Sequence, residues 1–128
     1  MSDWGNPTPI LNVKNVPASV EHYLDKLGFK KDWDWGTPPT FASVSRGKTY
    51  IFLCQGAQGQ SGTWMWIPVP DVDVLCEELK CRGATIRQLP TNFPWRSREM
   101  NVQDPDGHHL RFASDSTGEP EGISLKED

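Results

Sequence analysis

The two halves of this 128-residue chain can be written over each other. Val13-Lys14-Asn15-Val16 aligns with Val69-Pro70-Asp71-Val72. Leu24 and Gly28 align with Leu79 and Gly83, and Ile51-Phe52-Leu53 aligns with Leu110-Arg111-Phe112. A repeat of this length points to one supersecondary unit used twice, which narrows the fold more than any single motif does. In the first half, Val16, Val20, Tyr23, Leu24 and Leu27 recur at helical spacing between a capping Asn15 and a terminal Gly28. Strands are expected before that helix and at Phe29–Trp35, Thr40–Ser45 and Thr49–Gln55. In the second half, Asp71 caps a helix with Val72, Leu75, Cys76 and Leu79 on one face, ended by Gly83. Strands are expected at Thr63–Val69, Ala84–Leu89, Arg98–Gln103 and His108–Ala113, with Pro90 to Arg96 as a loop. The order is β-α-β-β-β twice. It gives an α+β chain of one domain, with repeat one at about 9–55, a Gly/Gln-rich flexible link at 56–62, repeat two at about 63–113, and a mobile acidic tail at 114–128.

Composition removes several classes of function. The chain has 17 acidic residues against 13 Lys and Arg, a net charge of −4, which argues against nucleic acid as the partner. No apolar run approaches the roughly 20 residues of a membrane span, and Met1 to Pro9 lacks a signal-peptide core. A soluble, cytoplasmic protein is expected. Three cysteines, none in a C-x-x-C pair, indicate neither a disulfide framework nor a zinc ribbon. His108 and His109, read as neighbours on one strand, point to opposite faces and do not share a metal. The excess is in tryptophan: Trp4, Trp33, Trp35, Trp64, Trp66 and Trp95. Indoles are favoured where flat ligands are gripped.

From about Pro9 to Phe112 the chain resembles the vicinal oxygen chelate superfamily of glyoxalase I, extradiol dioxygenases, and fosfomycin and bleomycin resistance proteins. The resemblance rests on Asp104-Pro105-Asp106-Gly107 before a strand, on Trp95 and Arg98-Glu99-Met100 ahead of it, on Tyr23-Leu24 to Leu27-Gly28-Phe29, and on the repeat. It implies two βαβββ repeats forming a curved mixed sheet with a concave cleft. Enzymes of the family hold a divalent metal there with one His or Glu from each of four strands. Those four places fall near Thr8, Phe52, Trp64 and Arg111, and none of these is an ordinary ligand. No metal and no cofactor is expected. What remains resembles the bleomycin resistance group, which binds a drug without turning it over. Thr63-Trp64-Met65-Trp66-Ile67 is similar to its Trp-rich fifth strand, and Pro94-Trp95-x-x-Arg98-Glu99-Met100 to its run before D-P, with one residue more between Trp and Arg. The resemblance also implies a homodimer whose Pro-containing N-terminal arm exchanges between subunits.

Strand alternation then assigns candidate residues. Trp64 and Trp66 share one face, opposite Met65, Ile67 and Val69, and either stack on a ligand or plug the cleft. His109 and Arg111 share the cleft face, where Arg111 grips a ligand oxygen or pairs with Glu99. Trp33 and Trp35 wall the cleft or pack at a dimer interface, with Phe41 and Phe52 on the following strands as further ligand contacts. Phe93 and Trp95 sit in a loop, where aromatics tend to touch ligands. Asp32 and Asp34 read as solvated strand-edge acids or, with Glu99, as partners for a cationic ligand. The expected ligand is a planar aromatic antibiotic of glycopeptide, quinoxaline or enediyne type. Two other readings stay open: an enzyme using His109, Glu99 and Arg111 for acid–base chemistry or an atypical metal site, and an interaction subunit with a large aromatic surface.

Overall fold

A computed structural model describes residues 5–56 and 59–121. The described residues form two helices and eight strands in two four-stranded mixed sheets, an α+β vicinal oxygen chelate fold. They fall into two compact units, one of residues up to Thr63 together with Asp104–His108, the other of Trp64–Gln103 and His109 onward.

In the first unit, β1 (Ile10–Val13), α1 (Val16–Leu27), β2 (Lys30–Gly36), β3 (Pro39–Arg46) and β4 (Thr49–Gln55) follow in order. The sheet order is β1-β4-β3-β2, with β1 parallel to β4 and the other pairs antiparallel. Helix α1 starts where Asn15 accepts the Ala18 N–H and stops where Gly28 turns left-handed at φ 73°. Strand alternation sends Leu11, Val13, Ala42, Val44, Ile51 and Leu53 to one face, where they are fully buried with Val16, Tyr23 and Leu27 of α1. Each large aliphatic removed from water there contributes about 1.5–3 kcal/mol. The turn 104–108 completes this unit. Asp104 accepts the Tyr23 hydroxyl at 2.8 Å and the N–H groups of Asp106 and His108 at 2.9 Å each.

In the second unit, β5 (Trp64–Pro68), α2 (Val72–Arg82), β6 (Thr85–Asn92), β7 (Ser97–Gln103) and β8 (His109–Asp115) repeat the plan. The order is β5-β8-β7-β6, with β5 parallel to β8. Asp71 caps α2 through the N–H groups of Asp73 and Val74. Cys76 is buried on its inner face, as the sequence implies.

Four expectations need correction. Strand β6 continues through Pro90 to Asn92 instead of ending at Leu89. It is an edge strand with an irregular register between Gln88 and Thr91, and there a missing N–H disturbs no ladder. His108 precedes β8 rather than lying in it. Its ring is wholly buried in the first unit, where Nδ1 accepts the Thr63 N–H and Nε2 donates to the Asn12 carbonyl. Residues 114–121 are not a loose tail: Ser114 and Asp115 belong to β8, and Ser116 to Glu121 bond back to residues 92–98. Within the link, a Cβ on Gly59 would stand 2.7 Å from the Ile10 carbonyl, so this residue is packed against β1. Residues 57, 58 and 122–128, parts of the expected link and tail, and Trp4, lie outside the described residues.

Candidate functional site

The second unit assembles five of the expected residues on one sheet face, Trp64, Trp66, Glu99, His109 and Arg111. The register places Trp64 beside His109, Trp66 beside Arg111 and then Asn101, and Pro68 beside Ala113 and then Glu99. Alternation sends Met65, Ile67, Met100, Val102, Leu110 and Phe112 to the opposite face. Glu99 is the pivot, with only 3% of its surface exposed. One carboxylate oxygen accepts the indole N–H of Trp66 at 3.3 Å and that of Trp95 at 3.0 Å. The other accepts from the Arg111 guanidinium. Burial pushes the Glu99 carboxyl up, but hydrogen bonds from Trp95, Ser97, Trp66 and Arg111 outweigh it and hold the group below the usual carboxylate range. Of the two readings for Arg111, pairing with Glu99 is the one the geometry contains, and Glu99 is not an open acid for a cationic ligand.

The indoles that converge on Glu99 keep their faces open. Trp66 is 57% exposed and Trp95 52%, although both N–H groups are bonded. Trp95 and Trp64 are each backed by another ring. Phe93 is buried and stacks on Trp95 with centroids 4.7 Å apart and planes 10° from parallel. His109 stacks on Trp64 at 3.9 Å and 10°, while its Nδ1 donates to Asn101 Oδ1 at 3.1 Å. Phe93 therefore backs Trp95 rather than presenting its own ring to solvent. Trp95 stands on a tight loop in which Arg96 takes a positive φ of 65°.

The first unit has its own aromatic face, opposite its core. Trp33, Phe41 and Phe52 form a triangle with ring centroids 5.3–5.5 Å apart. Trp35 pairs with Phe41 across the ladder and projects with 70% of its surface exposed. Asp32 is not a solvated edge acid. Its carboxylate accepts the Ser43 and Ser45 hydroxyls at 2.9 and 2.8 Å, at a register shift in β2. Asp34 pairs with Lys31 at 2.9 Å.

The places at which related enzymes carry metal ligands do not suit a divalent cation here. Phe52 and Trp64 offer rings, and Arg111 is a cation held by Glu99. Among the described residues, no three His, Cys, Asp or Glu side chains lie close enough to share a metal. No helix among them is long and apolar enough to cross a membrane.

Sequence reading missed the supports of this site: Asn101, Asp73, Asn92, Thr117 and Glu121. None has a periodic signal, because each acts through a side-chain bond across the sheet or to the C-terminal segment.

Comparison with known proteins agrees with this fold. The family model described as "Glyoxalase/Bleomycin resistance protein/Dioxygenase superfamily" matches residues 7–112. Among solved structures, a bleomycin-binding protein from bleomycin-producing Streptomyces verticillus, complexed with copper(II)-bleomycin, is 30% identical. That match covers 93% of this chain and 100% of the other, with a TM-score of 0.73. TioX from Micromonospora sp. ML1 is 20% identical over 87% of this chain and 99% of its own, with a TM-score of 0.76. A glyoxalase/bleomycin resistance protein/dioxygenase from Nocardioides is 21% identical over 97% and 92%, with a TM-score of 0.71. No curated protein matches the sequence.

Proposed function

Because the chain belongs to the glyoxalase/bleomycin resistance protein/dioxygenase superfamily, we propose that it binds and sequesters a planar aromatic small molecule of the antibiotic type, as a homodimer, without turning it over. The observation that carries this reading is the cluster around Glu99: two indoles anchored by their N–H groups to one oxygen, each more than half exposed. Anchored rings lose little freedom when a flat ligand stacks on them, and each aromatic pair adds about 0.5–1.5 kcal/mol beyond burial. Arg111 donates to Glu99 through Nη2, and its side chain stays 36% exposed. Its remaining N–H groups suit a carbonyl, carboxylate or phenolate on the ligand's rim. The similarity to a bleomycin-binding protein supports the same class.

Acid–base catalysis is less well served. Glu99 is committed to both indoles and the Arg111 guanidinium and held below its ordinary range, the reverse of what a general base at neutral pH requires.

Tryptophan fluorescence titrated with copper(II)-bleomycin, a quinoxaline antibiotic and an enediyne tests the proposal. Saturable quenching with a rise in Tm is expected for at least one. Unchanged fluorescence and Tm with all three would overturn it.

A further inference from the structure

The loop that carries Trp95 is clasped from both ends by the C-terminal segment. Just before the loop, the Asn92 N–H donates to the Glu121 carboxylate at 3.1 Å, and the Asn92 carbonyl accepts the Glu121 N–H at 3.0 Å. The Asn92 side chain is held as well. Its Oδ1 accepts the Thr117 N–H at 3.2 Å, and its Nδ2 donates to the Thr117 hydroxyl at 3.3 Å. Just after the loop, the Arg96 carbonyl accepts the Ser116 N–H at 3.3 Å. Between these two anchor points lie Phe93, Pro94 and Trp95.

A single guanidinium locks the clasp. Arg98 Nη1 donates to Glu121 at 2.8 Å, while Nε and Nη2 grip Asp73 at 2.7 and 3.0 Å. Arg98 sits one residue before Glu99 and points to the other side of β7, a side chain only 16% exposed. Asp73 lies in the first turn of α2. The segment is therefore tied to a helix and to a strand, and a fixed anchor of this kind can hold a loop in place.

We propose that Ser116–Glu121 is a strap that positions Trp95, with Arg98 and Glu121 as positioning residues, and that the strap sets how well the aromatic site is preorganised for its ligand. The proposal rests on the binding function given above but acts on the loop whether or not a ligand is present. Without the strap, the loop keeps its own bonds, Phe93 N–H to the Ser97 carbonyl at 2.8 Å and Arg96 N–H to the Phe93 carbonyl at 3.1 Å. What it loses is the fixed placement of both ends. A ligand stacking on Trp95 must then order the loop as it binds, and affinity falls by that ordering cost.

Labelling with 5-fluorotryptophan gives each indole its own fluorine resonance, and W95F identifies that of Trp95. In E121Q and R98Q the Trp95 resonance should shift toward its denatured position and broaden, while that of Trp33, in the other unit, stays in place. R98K, which keeps the charge without the three-way fork, should give an intermediate resonance. With quinoxaline-2-carboxamide as probe, Kd should rise by about threefold to tenfold in both Gln variants, in line with one loop ordered on binding. A Trp95 resonance unchanged in position and width in folded E121Q and R98Q would overturn the strap. Absence of probe binding to the unaltered protein, with the Trp95 resonance still responding, would count against the ligand class and leave the strap supported.

Discussion

Glu99 decides the chemistry of the site because it accepts from both indoles and the guanidinium at once. A glutamine at this position has one acceptor oxygen and turns an N–H group toward either the indoles or the guanidinium. E99Q is therefore expected to lose about 1–3 kcal/mol of stability, the penalty of unsatisfied buried partners; Arg111 reaches water and escapes the larger cost of a fully buried orphan charge. The pH dependence has a definite sign. The Glu99 carboxyl titrates lower in the folded protein than in the unfolded chain, so its contribution is complete above the unfolded value of about 4.3 and disappears as pH falls through the folded value. Tm measured from pH 7 to pH 2.5 should show the gap between the native protein and E99Q closing below about pH 4. Parallel curves over that range would show that Glu99 is not the group responsible. Much of this was readable beforehand. Period-two alternation alone puts Trp64, Trp66, His109 and Arg111 on a common face. The choice between a ligand and Glu99 as the partner of Arg111 was not readable, because it depends on the register of β7 against β8.

Elements ended by local chemistry were legible in the same way. Asn15 and Gly28, and Asp71 and Gly83, mark both helices to the residue, since capping bonds span only two to five positions of sequence. The extension of β6 through Pro90 was not legible, because it depends on the strand being an edge. The strap was not legible either: its bonds join residues 23–29 positions apart through side chains without a repeat. The turn 104–108 reads as a tight turn in sequence, yet in the fold it is a structural part of the first unit, attached to α1 through Tyr23. The Tyr23 hydroxyl is buried, and both burial and the Asp104 carboxylate raise its pKa well above the usual value. It therefore stays a donor at all physiological pH. Y23F leaves the Asp104 oxygen one donor short in a buried place and should cost about 1–3 kcal/mol in urea unfolding. Y50F, at an exposed position, should stay within about 0.5 kcal/mol. Equal effects of the two would mean that the bond to Asp104 contributes nothing net. At the link, Gly59 has a φ of 84° and no room for a Cβ beside the Ile10 carbonyl. G59A should destabilise the fold by at least about 1 kcal/mol, whereas G47A, with open space and a φ of 60°, should pay only the strain of a left-handed residue.

At the scale of the whole molecule, all five tryptophans among the described residues keep a large part of their surface in water: Trp33, Trp35, Trp64, Trp66 and Trp95. Scattered exposed apolar residues are ordinary, but grouped ones mark a ligand or partner surface. Within the second unit the grouping is explained by the Glu99 cluster. Within the first, Trp33, Phe41 and Phe52 pack on one another, and Trp35, at the far end of β2, has no ring contact among the described residues. An indole 70% exposed on a strand is a better candidate for burial between subunits than for the core. The homodimer proposed above would bury it there, and the arm exchange that the family resemblance implies would be confined to residues before Pro9, whose carbonyl is bonded to Phe52 of its own sheet at 3.0 Å. Sedimentation equilibrium between 1 and 100 µM should return a dimer mass. W35A should lower the dimer's stability, because large aromatics carry a disproportionate share of interface energy, about 2 kcal/mol or more for a central one. In the dimer, removal of the arm before Thr8 should weaken association in the same direction without changing the Trp95 resonance. A monomer at every concentration would assign Trp35 to ligand contact or to solvent, and binding of the aromatic probe would then have to be complete within a single chain.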